Sequence, residues 1–196
     1  SGISSGFLAI DDLLGGLHKS DLVILAGRPS MGKTALATNI AYNAASNKND
    51  NKAVAFFSLE MSAEQLANRI LAEQSELSSD KIRRGKLTKE NFSNLEKVSK
   101  EISSNKLFID DTPAINVSTL RTRARRLKRK LEKGLGLIVV DYLQLMRGSK
   151  RFENRVQEIS EITQGLKSVA KELDIPVLAL SQLSRAVEQR EDKRPH

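Results

Sequence analysis

Eight consecutive residues, Gly27-Arg28-Pro29-Ser30-Met31-Gly32-Lys33-Thr34, satisfy the pattern G-x-x-x-x-G-K-[ST] at every fixed position. The residue types suit a polyphosphate. Gly27 and Gly32 allow a tight turn whose backbone N–H groups point inward as an anion nest. A helix opening near Lys33, with Ala35 in its first turn, adds the positive end of its dipole. Lys33 is positioned to reach the β- and γ-phosphates, and the Thr34 hydroxyl to ligate Mg²⁺.

Phosphoryl transfer is mostly positioning and charge neutralisation, so other groups must face this loop. Asp141 follows the apolar run Leu137-Ile138-Val139-Val140 and suits a carboxylate that holds Mg²⁺ through water; a helix cap is the other use for such an Asp. Glu60 ends a second apolar run and is a candidate base for an attacking water, or a surface Glu placed before a helix. Gln182 ends a third run and is a candidate sensor of the γ-phosphate. Spacing alone leaves the Glu60 and Gln182 alternatives open. Asp110 and Asp111 precede Thr112-Pro113 and read first as turn residues.

These side chains need a scaffold that brings strand ends together. Leu22–Ala26, Ala53–Leu59, Leu107–Ile109, Leu137–Val140 and Pro176–Leu180 read as buried strands. Between them, helices are expected over Ala35–Ala45, from a capping box at Ser62 to about Gln74, and over Ser78–Gly85, Thr88–Ser103, Val117–Glu132 and Val156–Asp174. A further short helix is expected over Phe7–Leu17. Strands alternating with helices imply an α/β fold, a mostly parallel sheet with helices on both faces. Right-handed crossovers then place every strand C-terminus, and so Lys33, Glu60, Asp141 and Gln182, along one edge. Asn47-Lys48-Asn49-Asp50 matches a guanine-reading pattern but follows the phosphate-loop helix directly, so a solvated turn is the better reading.

The chain has 196 residues, most simply one domain, with a net charge of +8 and no cysteine, which excludes disulfide, zinc-thiolate and thiol chemistry. It has no apolar run long enough to span a membrane and no signal-peptide pattern at its start, which fits the cytoplasm. The positive charge hints at a polyanionic partner. Two segments concentrate it. The 117–132 helix sets an apolar stripe (Val117, Leu120, Ala124, Leu127, Leu131) against Arg121, Arg123, Arg125, Arg126, Lys128, Arg129 and Lys130. A solvated or partner-facing surface is the more economical account of that face than nucleic acid. Arg147, Lys150, Arg151 and Arg155 lie in a polar loop, with Arg185 further on, and are candidate phosphate contacts or merely an exposed loop.

Ala-Gly-Arg-Pro-Ser-Met-Gly-Lys-Thr, Phe-Ser-Leu-Glu-Met-Ser, Ile-Asp-Asp-Thr-Pro, Val-Val-Asp-Tyr-Leu-Gln-Leu and Ala-Leu-Ser-Gln-Leu-Ser-Arg occur in this order. Together they resemble the C-terminal motor domain of the bacterial replicative DNA helicases, the DnaB family, over essentially the whole chain. The resemblance implies a RecA-like P-loop fold, MgATP hydrolysis, and unwinding of DNA by a homo-hexameric ring on single-stranded DNA, with primase and a helicase loader as partners. It implies Glu60 as the catalytic base, Asp141 as a Mg²⁺ ligand, Gln182 as a γ-phosphate contact and Arg69 near the nucleotide interface. A RecA-like recombinase, an ATP-switched assembly protein and a non-catalytic scaffold share the phosphate loop. The first two lack the Phe-Ser-Leu-Glu-Met and Asp-Tyr-Leu-Gln-Leu pairing. Retention of Lys33, Thr34, Glu60 and Asp141 argues against a scaffold. The family's N-terminal helical domain and linker precede the region matched here, and its arginine finger and main DNA-binding segment follow Pro195-His196. Residues 1–196 alone are therefore expected to bind ATP but hydrolyse it weakly and not unwind DNA, since a finger in trans contributes roughly 10³–10⁵ in rate.

Overall fold

The computed structural model describes residues 17–27, 31–47, 49, 51–151 and 153–182. Most of the Phe7–Leu17 segment, Arg28, Pro29, Ser30 and Arg185 lie outside them. The chain runs β1 (Leu22–Gly27), α1 (Met31–Ser46), β2 (Ala53–Ser58), α2 (Ala63–Ser75), α3 (Ser79–Arg84), α4 (Lys89–Ser103), β3 (Leu107–Asp110), α5 (Val117–Lys130), β4 (Leu135–Asp141), a 3₁₀ turn (Leu143–Leu145), α6 (Arg155–Leu173) and β5 (Val177–Gln182).

Local signals account for most boundaries. The Ser62 hydroxyl accepts from the Gln65 N–H while Gln65 accepts from the Ser62 N–H, the reciprocal box that opens α2. Thr88 and Asn91 open α4 in the same way. Ser78 caps α3, and Gly85 closes it at φ 68°, a left-handed conformation that favours glycine. Some boundaries move. α1 begins at Met31 rather than Ala35, so Lys33 and Thr34 stand in its first turn. β4 begins at Leu135, two residues before the Leu-Ile-Val-Val run. β5 begins after Pro176, which has no N–H to give a ladder, and reaches Gln182.

The five strands form one sheet in the order β1-β5-β4-β2-β3, and every neighbouring pair is parallel. The chain moves outward to β2 and β3 with helices on one face and returns through β4 and β5 with helices on the other, as a uniform crossover hand requires. Alternate residues of each central strand therefore feed two cores. Val54, Phe56, Leu137, Val139, Leu178 and Leu180 pack with Ile40 and Ala41 of α1 and Leu66 and Ile70 of α2. Ala55, Phe57, Ile138, Val140, Val177 and Ala179 pack with Leu120 and Ala124 of α5 and Ile162, Leu166 and Val169 of α6. α5 and α6 cross closely at Gly165, where an added Cβ would lie 2.9 Å from Val117 Cγ1. The expected stripe of α6 holds except at its start, where Val156 is 71% exposed.

The basic faces resolve differently from each other. On α5, Arg123 donates to Asp110 Oδ2 at 2.8 Å, Arg121 and Arg125 converge on Glu172 of α6, and Lys128 donates to the Leu173 carbonyl at 2.6 Å. Arg126, Arg129 and Lys130 stay exposed, without a carboxylate partner among those contacts. Four of the seven basic residues on α5 thus tie the helix to its own neighbours, where a solvated or partner-facing surface was expected. In the loop before α6, Arg147, Lys150 and Arg151 are exposed, as is Arg155 at the start of α6.

Candidate nucleotide site at the strand ends

β1 and β4 are not adjacent; β5 runs between them, with Gly27 opposite Gln182 and Ala26 opposite Ser181. The first turn of α1 folds back over these ends. There Lys33 Nζ donates to the Gly27 carbonyl at 2.6 Å and to the Ser181 carbonyl at 2.7 Å. Thr34 Oγ1 donates to Asp141 Oδ2 at 3.1 Å. Two motif residues and a strand-end carboxylate far along the chain thus meet in space. An added Cβ at Gly27 would sit 3.6 Å from Lys33 Cδ, an ordinary contact distance, and Gly27 is not among the glycines at positive φ.

Asp141 is 4% exposed, and Ser58, opposite it on β2, is buried as well. Burial pushes the Asp141 carboxyl above the ordinary range; the Thr34 hydrogen bond opposes this, Glu60 adds to it, and Arg69 and Lys33 oppose it. Glu60 and Arg69 therefore lie within electrostatic reach of Asp141. Burial draws Lys33 below the ordinary lysine range, against the pull of Asp141. Glu60 lies two residues beyond β2, exposed, just past Leu59, whose N–H donates to the Asp141 carbonyl at 2.9 Å. Arg69 is on α2 and pairs with Glu73 at 3.1 Å. The peptide between Asp141 and Tyr142 is cis.

The donor set is a hydroxyl and a carboxylate, both hard oxygens and already adjacent. It fits Mg²⁺, which takes one or two protein ligands and keeps waters or phosphate oxygens for the rest. A cation there would also relieve the unfavourable burial of the Asp141 charge. Lys33, hydrogen-bonded to carbonyl oxygens, fits an anion arriving beside them.

Lys33, Thr34, Asp141, Glu60, Arg69 and Gln182 are gathered at one edge, as expected. Arg147, Lys150, Arg151 and Arg155 form a separate patch beyond β4. Asp110 and Asp111 do more than turn the chain. Asp110 accepts from the Thr112 N–H at 3.0 Å, the anticipated turn, and also holds Arg123. Asp111 accepts from the Ala63 N–H at 2.8 Å and so serves the start of α2.

Sequence reasoning missed three contributors. Thr38, fully buried on α1, lies 2.9 Å from Glu73 Oε2, and Glu73 holds Arg69, so α1 sets the placement of that arginine through α2. Ser181 supplies the carbonyl that Lys33 binds. Gln144 hydrogen-bonds both Ser181 and Gln182. The available signal was a polar residue inside an apolar run: Ser181 after Val-Leu-Ala-Leu, and Gln144 between Leu143 and Leu145.

Comparison with known proteins agrees with this geometry. A family model for the DnaB-like helicase C-terminal domain matches residues 2–196. The replicative DNA helicase DnaB of Rickettsia typhi is 58% identical over 202 residues, covering 99% of this chain and 40% of that protein. That of Geobacillus stearothermophilus is 53% identical over 196 residues, covering 100% of this chain and 42% of that protein. The chain thus spans about two fifths of the length of these relatives. A solved structure of a DnaB-like replicative helicase, studied with its interactions with primase, superposes over 100% of this chain and 46% of its own, with a TM-score of 0.89 and 36% identity. A solved ATPase domain matches equally well, with a TM-score of 0.89 and 36% identity over 100% of this chain and 68% of its own.

Proposed function

The chain belongs to the DnaB-like helicase C-terminal domain family, with a RecA-like α/β fold, and on that premise we propose that it is the ATP-driven motor of a replicative DNA helicase. The observation that carries the reading is the meeting of Thr34 and Asp141 at 3.1 Å, with Lys33 bridging the ends of β1 and β5 beside them. ATP is the substrate and Mg²⁺ the metal, which when bound neutralises charge on the β- and γ-phosphates. Thr34 and Asp141 are the residues that would hold it. Gly27, Arg28, Pro29, Ser30, Met31, Gly32, Lys33, Thr34 and Ala35 form the phosphate cradle, and the Lys33 ammonium exchanges carbonyl partners for phosphate oxygens.

Glu60 is the group that orients and deprotonates the attacking water: it is exposed, stands at the site edge and feels Asp141. Gln182 contacts the γ-phosphate from the end of β5. Arg69, held by Glu73, lies at the edge shared with a neighbouring subunit. Arg147, Lys150, Arg151, Arg155 and Arg185 contact the backbone of single-stranded DNA. The whole chain is one motor domain within a homo-hexamer that engages primase and a loader in the cytoplasm. Among the described residues no helix is long and apolar enough to cross a membrane.

In the full-length protein, Glu60→Ala is expected to lower ATP turnover by about 10²–10⁴-fold while ATP binding persists. Unchanged turnover would remove Glu60 from the chemistry. A forked duplex discriminates among reaction classes: strand separation of one polarity supports the helicase reading, and turnover without separation would move it to a recombinase or assembly switch.

A further inference from the structure

Gln144 sits three residues past Asp141, in the 3₁₀ turn, between two leucines that pack into the core. Its side chain does not follow them. Nε2 donates to Ser181 Oγ at 2.7 Å, and Oε1 accepts from the Gln182 N–H at 3.2 Å. A backbone N–H can only donate, so Gln182 fixes which end of the Gln144 amide is oxygen. Two adjacent residues of β5 are thereby clamped by one amide, just where the Ser181 carbonyl accepts from Lys33 at 2.7 Å.

The main chain of Gln144 points the other way. Its carbonyl accepts from the Arg155 guanidinium. Arg155 also holds Glu158, whose second oxygen accepts from the Gly148 N–H at 3.1 Å. One residue thus joins the strand end that Lys33 touches to the segment that carries Arg147 and Arg155.

We propose that Gln144 is a positioning residue that makes the placement of the basic loop depend on what Lys33 and Gln182 bind. This rests on the functional reading above. A phosphate that takes Lys33 removes the donor from the Ser181 carbonyl, and the end of β5 is then free to shift. Because the amide grips Ser181 and Gln182 together, the shift moves the 3₁₀ turn and, through the Gln144 carbonyl, Arg155. The coupling is reciprocal: a strand of DNA on the basic loop resets the end of β5.

The test is the ratio of ATP turnover with and without single-stranded DNA in the full-length protein. Gln144→Met keeps the length of the side chain and removes both amide hydrogen bonds. It is expected to leave the KM for ATP within about threefold and to lower the stimulation ratio by about fivefold or more, within the usual range of coupling between sites. Ser181→Ala removes one of those two hydrogen bonds and leaves the Gln182 N–H on Gln144 Oε1; it should lower the ratio in the same direction by a smaller factor, and the double variant should be no worse than Gln144→Met alone. A purely structural glutamine would alter melting temperature and leave the ratio alone. Wild-type stimulation retained in folded Gln144→Met overturns the inference, and Ser181→Ala decides it in the same way if Gln144→Met does not fold. Wild-type protein without ATP turnover overturns the functional reading and this inference with it.

Discussion

Lys33 and the cations of α5 carry the same charge and have found different partners. On α5, Arg121, Arg123 and Arg125 each meet a carboxylate, Arg121 and Arg125 sharing Glu172 and Arg123 holding Asp110, so two of their three charges are offset within the fold. Lys33 meets two carbonyl oxygens, and among the described residues no carboxylate lies in ion-pair contact with it. A carbonyl dipole satisfies an ammonium's hydrogen bonds without neutralising it, so the charge remains available to an anion. Sequence counts both kinds of residue equally toward +8; only the partner separates a cation kept for a ligand from one consumed by structure.

The contrast can be broken by substitution. Lys33→Met should lower ATP turnover of the full-length protein by about 10²–10³-fold, the scale of losing one preorganised donor to developing charge, with no loss in melting temperature, because a desolvated charge is removed. A fall in melting temperature as large as that of a core variant would make Lys33 a structural cation after all.

Asp141→Asn should cost turnover about 100-fold or more yet raise the melting temperature of the nucleotide-free protein. The sign follows from burial. The folded carboxyl lies above its unfolded value, so between the two values the folded state binds more protons, and stability falls as pH rises through that window. Asparagine removes the penalty and keeps an acceptor for Thr34. Melting curves against pH should lose that slope in the variant; an unchanged slope would show that another group supplies it.

Gly165→Ala tests the platform instead of the site. Alanine is the better helix former, but its Cβ would meet Val117 at 2.9 Å. A loss of about 1–3 kcal/mol is therefore expected by denaturant unfolding. A gain would mean that α5 yields easily.

Arg123→Met is the smallest effect, about 0.5–1 kcal/mol for a half-exposed pair. Burial pushes Asp110 up, but hydrogen bonds from Thr112 and Arg123 and the charge of Arg123 outweigh it and hold the carboxyl below its ordinary range. The pair's contribution is therefore present above the unfolded value and lost as pH falls through the folded one. Wild type and variant should converge in acid. Divergence there would assign the stability to packing of the arginine stem.

Much of this was legible beforehand. The five apolar runs became five parallel strands, and the Ser62–Gln65 and Ser78–Gly85 signals opened and closed their helices, because those features act within a few residues. The motif brought Lys33 and Thr34 to the strand ends for the same reason. What escaped depends on which strands become neighbours. Nothing near Ser181 says that its carbonyl will face Lys33, and nothing near Gln144 says that it will grip β5. Arg121 and Arg125 read as a free basic face because Glu172 belongs to another helix. Val156 read as core because periodicity gives the direction of a side chain and not whether anything packs there.

The place of β5 has a consequence for how the protein is born. β1 is made before the other four strands, but among the described residues its sheet partner is β5, the last of the five, and Lys33 finds its Ser181 acceptor across 148 residues. β2, β3 and β4 can pair with one another as they appear, while the phosphate-loop strand waits with its apolar residues uncovered. A nascent chain stopped short of Gln182 carries the complete motif without the site. Of the five strands the first to be made is thus the last to gain its neighbour, and Leu22 to Ala26 stays uncovered longest.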